Sequence, residues 1–351
     1  MTEATRVSAQ PALPAERNRL NLTKKDYEGA PSTLCRGCGH DAITACIMTA
    51  CYEANIDPHT VVKMSGIGCS AKTPTYFMSQ SFGFNGLHGR MAAMATGVGM
   101  ANRNMLIIGP TGDGDTASIG LGHFAHMMRR HLRMAYIVEN NGVYGLTKGQ
   151  FSATADVGSK LKKGAPNVFT AVDIPSLAIL MGATYVARSF SGDRKQLTPL
   201  IKGALNHRGT AILDVLSPCV TFNDHDGSTK SLKNIRANRD AVNEIEFVQD
   251  EVPNTDHHKE GTDLEIEMHG GAITLHKLKD HDPQDRIAAL QRLDEAQRNH
   301  KFLTGLLYID ESSPDLAEIE NLTDTPLAYL DLKDLRPSRD ALEKINASLM
   351  L

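Results

Sequence analysis

The chain has 351 residues, 41% of them hydrophobic and 22% charged, with a formal net charge of −4. That balance is ordinary for a globular protein and excludes a basic nucleic-acid-binding surface or an attraction to anionic membranes as an organising feature. No run approaches the roughly 18 apolar residues of a membrane span, and the polar first twenty residues lack the apolar core of a secretion signal. The expected location is therefore cytoplasmic, where six cysteines are better explained by burial, catalysis or metal binding than by disulfides.

Residues 1–20 read as a flexible arm. Cys35 and Cys38 form a CxxC just ahead of a helix predicted over Asp41 to Ala54. Thr60 to Met64 reads as a strand, followed by a glycine-rich turn, Ser65 to Ser70, that carries Cys69. Leu87-His88-Gly89-Arg90 precedes a helix of small residues, Met91 to Asn102. Met105 to Gly109 reads as a strand, Gly112-Asp113-Gly114-Asp115 as a turn, and Ser118 to Arg130 as a helix. Met134 to Val138 is a second strand that ends at Glu139, Asn140 and Asn141, so this stretch is a βαβ unit of a parallel sheet. Phe151 to Asn167 reads as a loop able to cover the strand ends. Val172 to Met181, Thr184 to Val186 and Gln196 to Asn206 continue the alternation, and Ala211 to Leu216 is read as the final strand, followed by Cys219. A core domain is expected over 21–235. In 236–281 the composition shifts: between Glu244 and Glu267 nine acidic residues face one lysine, with His257 and His258 adjacent. This reads as a solvated acidic excursion rather than a metal site. Residues 282–351 begin with a helix, Gln284 to Arg298, and end in an arm expected to pack on the core or on another subunit.

In open α/β sheets ligands bind at the carboxyl ends of the strands. There, Gly112 and Gly114 allow close backbone approach, and N-H groups ahead of a helix favour phosphate oxygens. Asp113 and Asn141 supply hard oxygens suited to a magnesium ion bridging to a diphosphate, although small-acidic-small is also an ordinary turn. The CxxC fits a redox dithiol, half a zinc site or half an iron-sulfur site. Cys69 and Cys219, each flanked by glycine or proline, would complete four ligands, and four cysteines suit zinc and iron-sulfur equally. Cys46 and Cys51 lie in an Ala- and Ile-rich helix and read as core.

Gly112-Asp113-Gly114 followed after one crossover by Asn141 resembles the thiamine diphosphate motif. The longer run GDGDTASIGLGHFAHMMRRHLRMAYIVENNGVYGLTKGQ resembles the β subunit of 2-oxoacid:ferredoxin oxidoreductases, a likeness that runs from about Asn21 to Cys219 and resumes near Asp282 to Tyr308. The resemblance implies an α/β thiamine-diphosphate-binding fold: a mostly parallel sheet with helices on both faces, plus a C-terminal extension. It assigns magnesium to Asp113, Asn141 and the carbonyl of Val143, and a 4Fe-4S cluster to Cys35, Cys38, Cys69 and Cys219. An adjacent cluster suits one-electron transfer, which zinc cannot perform. The cofactor would be bound by His40, Ile67, Gly68, Ser70, His88, Gly89, Gly112, Gly114, Asp115, Tyr144 and Gly145. His88 and Lys148 are the implied catalytic residues, with Leu146 and Lys148 at the substrate. Where pyruvate-specific relatives read TGGQ, this chain has Thr147-Lys148-Gly149-Gln150, and a lysine there could pair with the second carboxylate of 2-oxoglutarate. The implied reaction converts 2-oxoglutarate and coenzyme A to succinyl-CoA and CO2, with electrons passing to ferredoxin. One thiamine diphosphate motif in one chain leaves the pyrimidine side to an α subunit, in an α2β2 assembly. The rival readings are the same chemistry on pyruvate or branched-chain 2-oxo acids, a non-redox thiamine diphosphate enzyme with structural zinc, and a metal-binding scaffold without catalysis.

Overall fold

A computed structural model describes residues 16–160, 164–248, 263–268 and 271–350. The strands in chain order are β1 (Val61–Ser65), β2 (Phe82–Asn85), β3 (Leu106–Gly112), β4 (Met134–Asn140), β5 (Val143–Tyr144), β6 (Gln150–Phe151), β7 (Tyr185–Phe190), β8 (Thr210–Leu216), β9 (Arg239–Ala241), β10 (Asn243–Val248), β11 (Asp263–Met268), β12 (Gly271–Lys277) and β13 (Phe302–Ile309). The α-helices are α1 (Gly39–Glu53), α2 (Met91–Ala101), α3 (Leu121–Arg129), α4 (Ile174–Met181), α5 (Arg194–Asn206), α6 (Leu232–Asn238), α7 (Arg286–Arg298), α8 (Leu316–Ile319), α9 (Leu332–Leu335) and α10 (Arg339–Leu349).

The main sheet runs β2-β1-β3-β4-β8-β7-β13-β9. The first six strands are mutually parallel; β13 joins β7 antiparallel and β9 lies parallel to β13. Every residue of β1, β4, β7 and β8 is buried, as strands covered on both faces must be. One face is closed by α1 and α5, whose Ile43, Ile47, Leu197, Leu200 and Ile201 share a core with the sheet. The other is closed by α2, α3, α4 and α7 through residues such as Phe124, Met127, Ile179 and Leu293. Carboxylates start several of these helices: Asp173 accepts from Ser176 N, Asp193 from Gln196 N, and Asp285 from Ile287 N and Ala288 N, satisfying donors that the helix itself leaves free. The expected α/β fold with helices on both faces is what forms.

Three expectations need correction. Ala211–Leu216 is not the last strand: β13, apolar along most of its length, adds a further one at the β7 edge, which an antiparallel strand can do without a crossover helix. The acidic stretch is not merely solvated, because β10, β12 and β11 form a three-stranded antiparallel sheet. Glu244 and Glu246 are exposed while Ile245 and Phe247 are buried, and Ile266 and Met268 repeat the alternation, so in these two strands the charges mark the outer face of a half-buried sheet; residues 249–262 lie outside the described residues. His257 and His258 lie outside the described residues. Of the arm over 1–20, residues from 16 onward are described, and Asn18 is held by Tyr27 Oη at 2.9 Å and the Tyr52 carbonyl at 3.1 Å. At the other end, α9 and α10 bury no residue of this chain. Among the described residues no helix is long and apolar enough to cross a membrane.

Candidate active site

β3 and β4 are neighbours, with Gly112 opposite Glu139, so the two polar clusters emerge side by side. The chain leaves β1 outward to β2 and returns to β3 on the other side of β1, and a crevice forms at such a reversal. There a cavity of about 80 Å³ is lined by His40, Ile67, Gly68, Cys69, Ser70, His88, Gly112 to Asp115, Glu139, Asn141 and Val143 to Thr147. Nearly all the residues assigned to the cofactor from the sequence meet there. Gly89 stands behind the wall, its N-H donating to Asp115 at 2.6 Å. Lys148 does not reach the wall. In the turn closed by Lys148 N to Gly145 O and Gly149 N to Tyr144 O, Lys148 has φ 78° and is exposed, and Thr147 takes the inner position.

Asp113 is buried and surrounded by donors. Its carboxylate accepts from Gly142 N at 3.1 Å, Asn141 N at 3.3 Å, Thr154 Oγ1 at 2.5 Å and Ser152 Oγ. Burial nevertheless pushes its pKa up, a cost to the charged carboxylate that a nearby cation would offset. Asn141 Oδ1 accepts from Val143 N at 3.0 Å, bending the chain so that Asn141 and Val143 face the same cavity as Asp113. These oxygen donors fit magnesium. Two glycines are required by the packing of the wall: a side chain on Gly114 would meet the Tyr144 ring at 2.5 Å, and one on Gly66 would collide with Asp115.

Asp115 takes a supporting role. Its Oδ1 accepts from Gly89 N and contacts His88 Nδ1, while Oδ2 accepts from Thr111 Oγ1 at 2.8 Å. The carboxylate fixes His88 at the cavity mouth, where the ring also lies edge-on to Tyr144 at 5.9 Å. A π-helical turn, Asp115–Ile119, carries Asp115 ahead of α3; such turns recur at functional sites.

Glu139 escaped the sequence reading. It is fully buried on β4, accepts from Thr73 Oγ1 at 3.0 Å and lies 3.4 Å from His40 Nδ1. Burial raises the Glu139 pKa well above the carboxylate range and lowers that of His40 to about 4. The available signal was an acid closing an apolar run predicted to be a buried strand. Ser152 and Thr154, inside a stretch read only as a loop, carried no such signal.

The four predicted cluster cysteines gather beside this cavity. Cys69 lines it, and a side chain built on Gly145 would contact the sulfurs of both Cys69 and Cys219 at 3.5 Å. Cys35 accepts from Thr221 Oγ1 at 3.4 Å, tying the CxxC to the Cys219 loop. Two of the thiols feel their neighbours: Cys219 acts on Cys38, and Cys219 and Cys35 act on Cys69. Burial pushes the Cys38 thiol up to about 12, so thiolates here call for metal cations to offset them. Among the described residues no three His, Cys, Asp or Glu side chains meet at the spacing of a single metal ion. Cys46 and Cys51 are buried in α1, within the core shared with α5.

The class defined by this fold and crevice is that of thiamine diphosphate proteins: residues 63–215 match the family model described as thiamine pyrophosphate enzyme, C-terminal TPP binding domain. Among sequence relatives, a 2-oxoacid:ferredoxin oxidoreductase subunit beta from a Sulfolobus species is 46% identical over 191 residues, 54% of this chain and 63% of that protein. The 2-oxoglutarate synthase subunit KorB of Methanocaldococcus jannaschii is 33% identical over 267 residues, 76% of this chain and 93% of that one. A solved 2-oxoglutarate:ferredoxin oxidoreductase from Magnetococcus marinus, with 2-oxoglutarate, coenzyme A and succinyl-CoA bound, superposes with a TM-score of 0.71 at 30% identity, covering 96% of this chain and all of the matched one. The chain belongs to the β-subunit family of 2-oxoacid:ferredoxin oxidoreductases. It spans about three fifths of the length of the Sulfolobus relative.

Proposed function

We propose that this chain is the electron-transferring half of an enzyme that oxidatively decarboxylates 2-oxoglutarate in the presence of coenzyme A, giving succinyl-CoA and CO2 and passing electrons to ferredoxin. The observation that carries this reading is the single wall shared by two sites. Gly145 lines the crevice that holds Asp113 and Asn141, and the sulfurs of Cys69 and Cys219 both lie against it. When bound, thiamine diphosphate supplies the carbanion-stabilising chemistry of 2-oxo acid cleavage, and a 4Fe-4S cluster supplies one-electron steps. Asp113, Asn141 and Val143 would hold magnesium, and Cys35, Cys38, Cys69 and Cys219 the cluster.

The chain's own residues then divide the work. Asp115 orients His88 at the mouth of the cavity, and His88 is proposed to serve as the proton-transferring group there. Ile67 and Leu146 line the mouth with apolar surface, 38% and 51% exposed, and the edge strand β2 presents Phe82 and Phe84, more than half exposed, to whatever adjoins it. An α subunit carrying the pyrimidine side would cover this rim and exclude water. Lys148, at the rim, is proposed to meet the second carboxylate of the substrate. The test is a panel of 2-oxo acids with coenzyme A and a viologen acceptor, assayed on the chain co-purified with its partner. Turnover of 2-oxoglutarate above pyruvate and 2-oxobutyrate supports the reading; absence of coenzyme A-dependent dye reduction with every 2-oxo acid refutes it.

A further inference from the structure

β4 sends successive side chains to opposite faces of the sheet. Glu139 goes to the face with His40, and Asn140 goes to the other, where a second polar system lies. Thr154 Oγ1, which contacts Asp113 at 2.5 Å, is 3.1 Å from Asn140 Oδ1. Asn140 Nδ2 donates to Asp214 Oδ1 at 2.8 Å, and Arg188 Nε donates to Asp214 Oδ2 at 2.8 Å. Arg188 Nη2 donates to Asp173, the N-terminal cap of α4, at 2.5 Å. Thr154, Asn140, Asp214 and Arg188 are each at most 7% exposed.

We infer that Asn140, Asp214 and Arg188 form a positioning chain for the proposed magnesium ligand Asp113, acting through the hydroxyl of Thr154; this rests on the magnesium and thiamine diphosphate reading above. The polarity of the chain is fixed from its far end. The Asp214 carboxylate, held by Arg188, can only accept, so Asn140 must turn its amide nitrogen toward Asp214 and its oxygen toward Thr154. The Asp113 carboxylate at 2.5 Å and that oxygen at 3.1 Å are both acceptors, so they share the single Thr154 proton, and the fixed position of the Asn140 oxygen sets the direction from which the hydroxyl meets Asp113. Packing does not impose the arrangement, because a cavity of about 440 Å³ opens behind Asn140, Thr154, Asp173 and Arg188. Lining a cavity on one side, these side chains are held on that side by hydrogen bonds rather than by packed neighbours, the means by which partners of metal ligands tune affinity.

The test uses the complex with its partner subunit, freed of divalent cations and titrated with Mg2+ at saturating thiamine diphosphate by calorimetry, with thermal melting recorded in parallel. Thr154→Val and Asn140→Ala are each expected to weaken Mg2+ binding roughly tenfold or more. The double variant should fall well short of the product of the two losses, because both break one chain, and Thr154→Ser should restore binding. Asn140→Ser, a gentler change, serves if the alanine variant does not fold, with the same weakening expected. The inference is overturned if the Asn140 variants bind Mg2+ within about twofold of the parent, if the two losses simply multiply, or if melting falls while Mg2+ affinity stays. If the parent complex binds no Mg2+ with thiamine diphosphate, the functional reading itself has failed, a result distinct from these.

Discussion

His40 Nδ1 lies 3.4 Å from Glu139 Oε2 and 2.9 Å from Ser217 Oγ, so a buried histidine and a buried acid share the partition between the cofactor crevice and the cysteines. Burial acts on the two in opposite senses, raising Glu139 and lowering His40 to about 4. A group whose folded pKa is raised gives stability present below its unfolded pKa and lost as pH rises through the folded value. For the lowered His40, stability is present above its unfolded value of 6.5 and falls as pH drops toward about 4. Melting temperature should therefore decline on the alkaline side because of Glu139. Glu139→Gln should flatten that alkaline decline while leaving the acid limb in place; equal alkaline slopes in the two proteins would contradict this.

Asp113 and Asp115 stand two residues apart with different work to do. Asp113→Asn should weaken Mg2+-dependent thiamine diphosphate binding by about a hundredfold or more, since it removes a charged ligand. Asp115→Asn should leave cofactor binding within a few-fold and lower kcat roughly a hundredfold by releasing His88. Cofactor titration and steady-state kinetics on both variants check the division.

Lys148 gives the sharpest test of substrate choice. Lys148→Ala should lower kcat/KM for 2-oxoglutarate by one to two orders of magnitude, the scale of a lost charge-assisted contact, and leave 2-oxobutyrate nearly unchanged. Equal losses on both substrates would remove the lysine from substrate recognition.

Gly112, Asp113, Gly114 and Asn141 were legible in the sequence because they cluster at the ends of neighbouring strands, while His40, Ile67, Gly68, Ser70, His88, Tyr144 and Gly145 were implied by the family resemblance. The parallel strands were legible as well: burial on both faces makes Ala211–Leu216 and Met134–Val138 nearly continuous apolar runs. The legible signals stopped where composition and geometry diverged. Ile245 and Phe247 were hidden by the glutamates that alternate with them. Glu139 looked like the polar end of a strand although it is fully buried. Thr154 reaches Asp113 across 41 residues of chain, a contact that no local pattern encodes. Lys148 was assigned from a motif, which gave its place in the chain but not the left-handed turn, Lys148 at φ 78° and Gly149 at φ 102°, that leaves it exposed at the rim.

The C-terminal helix α10 carries Leu342, Ile345 and Leu349 on one side, each at least half exposed, and none of its residues is buried. Spacing of this kind forms an apolar stripe that calls for a partner. Leu342→Asp with Ile345→Asp should leave melting of the isolated chain within about 0.5 kcal/mol of the parent and sharply reduce recovery of the assembled complex by size-exclusion chromatography. Undiminished assembly would free the helix of that role.

The central claim is that a cofactor in the crevice and iron held by four thiolates act as one electron path. It is tested most directly by the visible and EPR spectra of the complex purified anaerobically, before and after addition of 2-oxoglutarate with coenzyme A. The expected protein is brown, contains about four iron atoms and as much acid-labile sulfide per chain, as a 4Fe-4S cluster requires, and bleaches on addition of substrate only when Mg2+ and thiamine diphosphate are present. Serine at Cys35, Cys38, Cys69 or Cys219 should reduce the iron content, while serine at Cys46 or Cys51 should not. A colourless complex without iron or sulfide, or a cluster that substrate cannot reduce, would contradict the account.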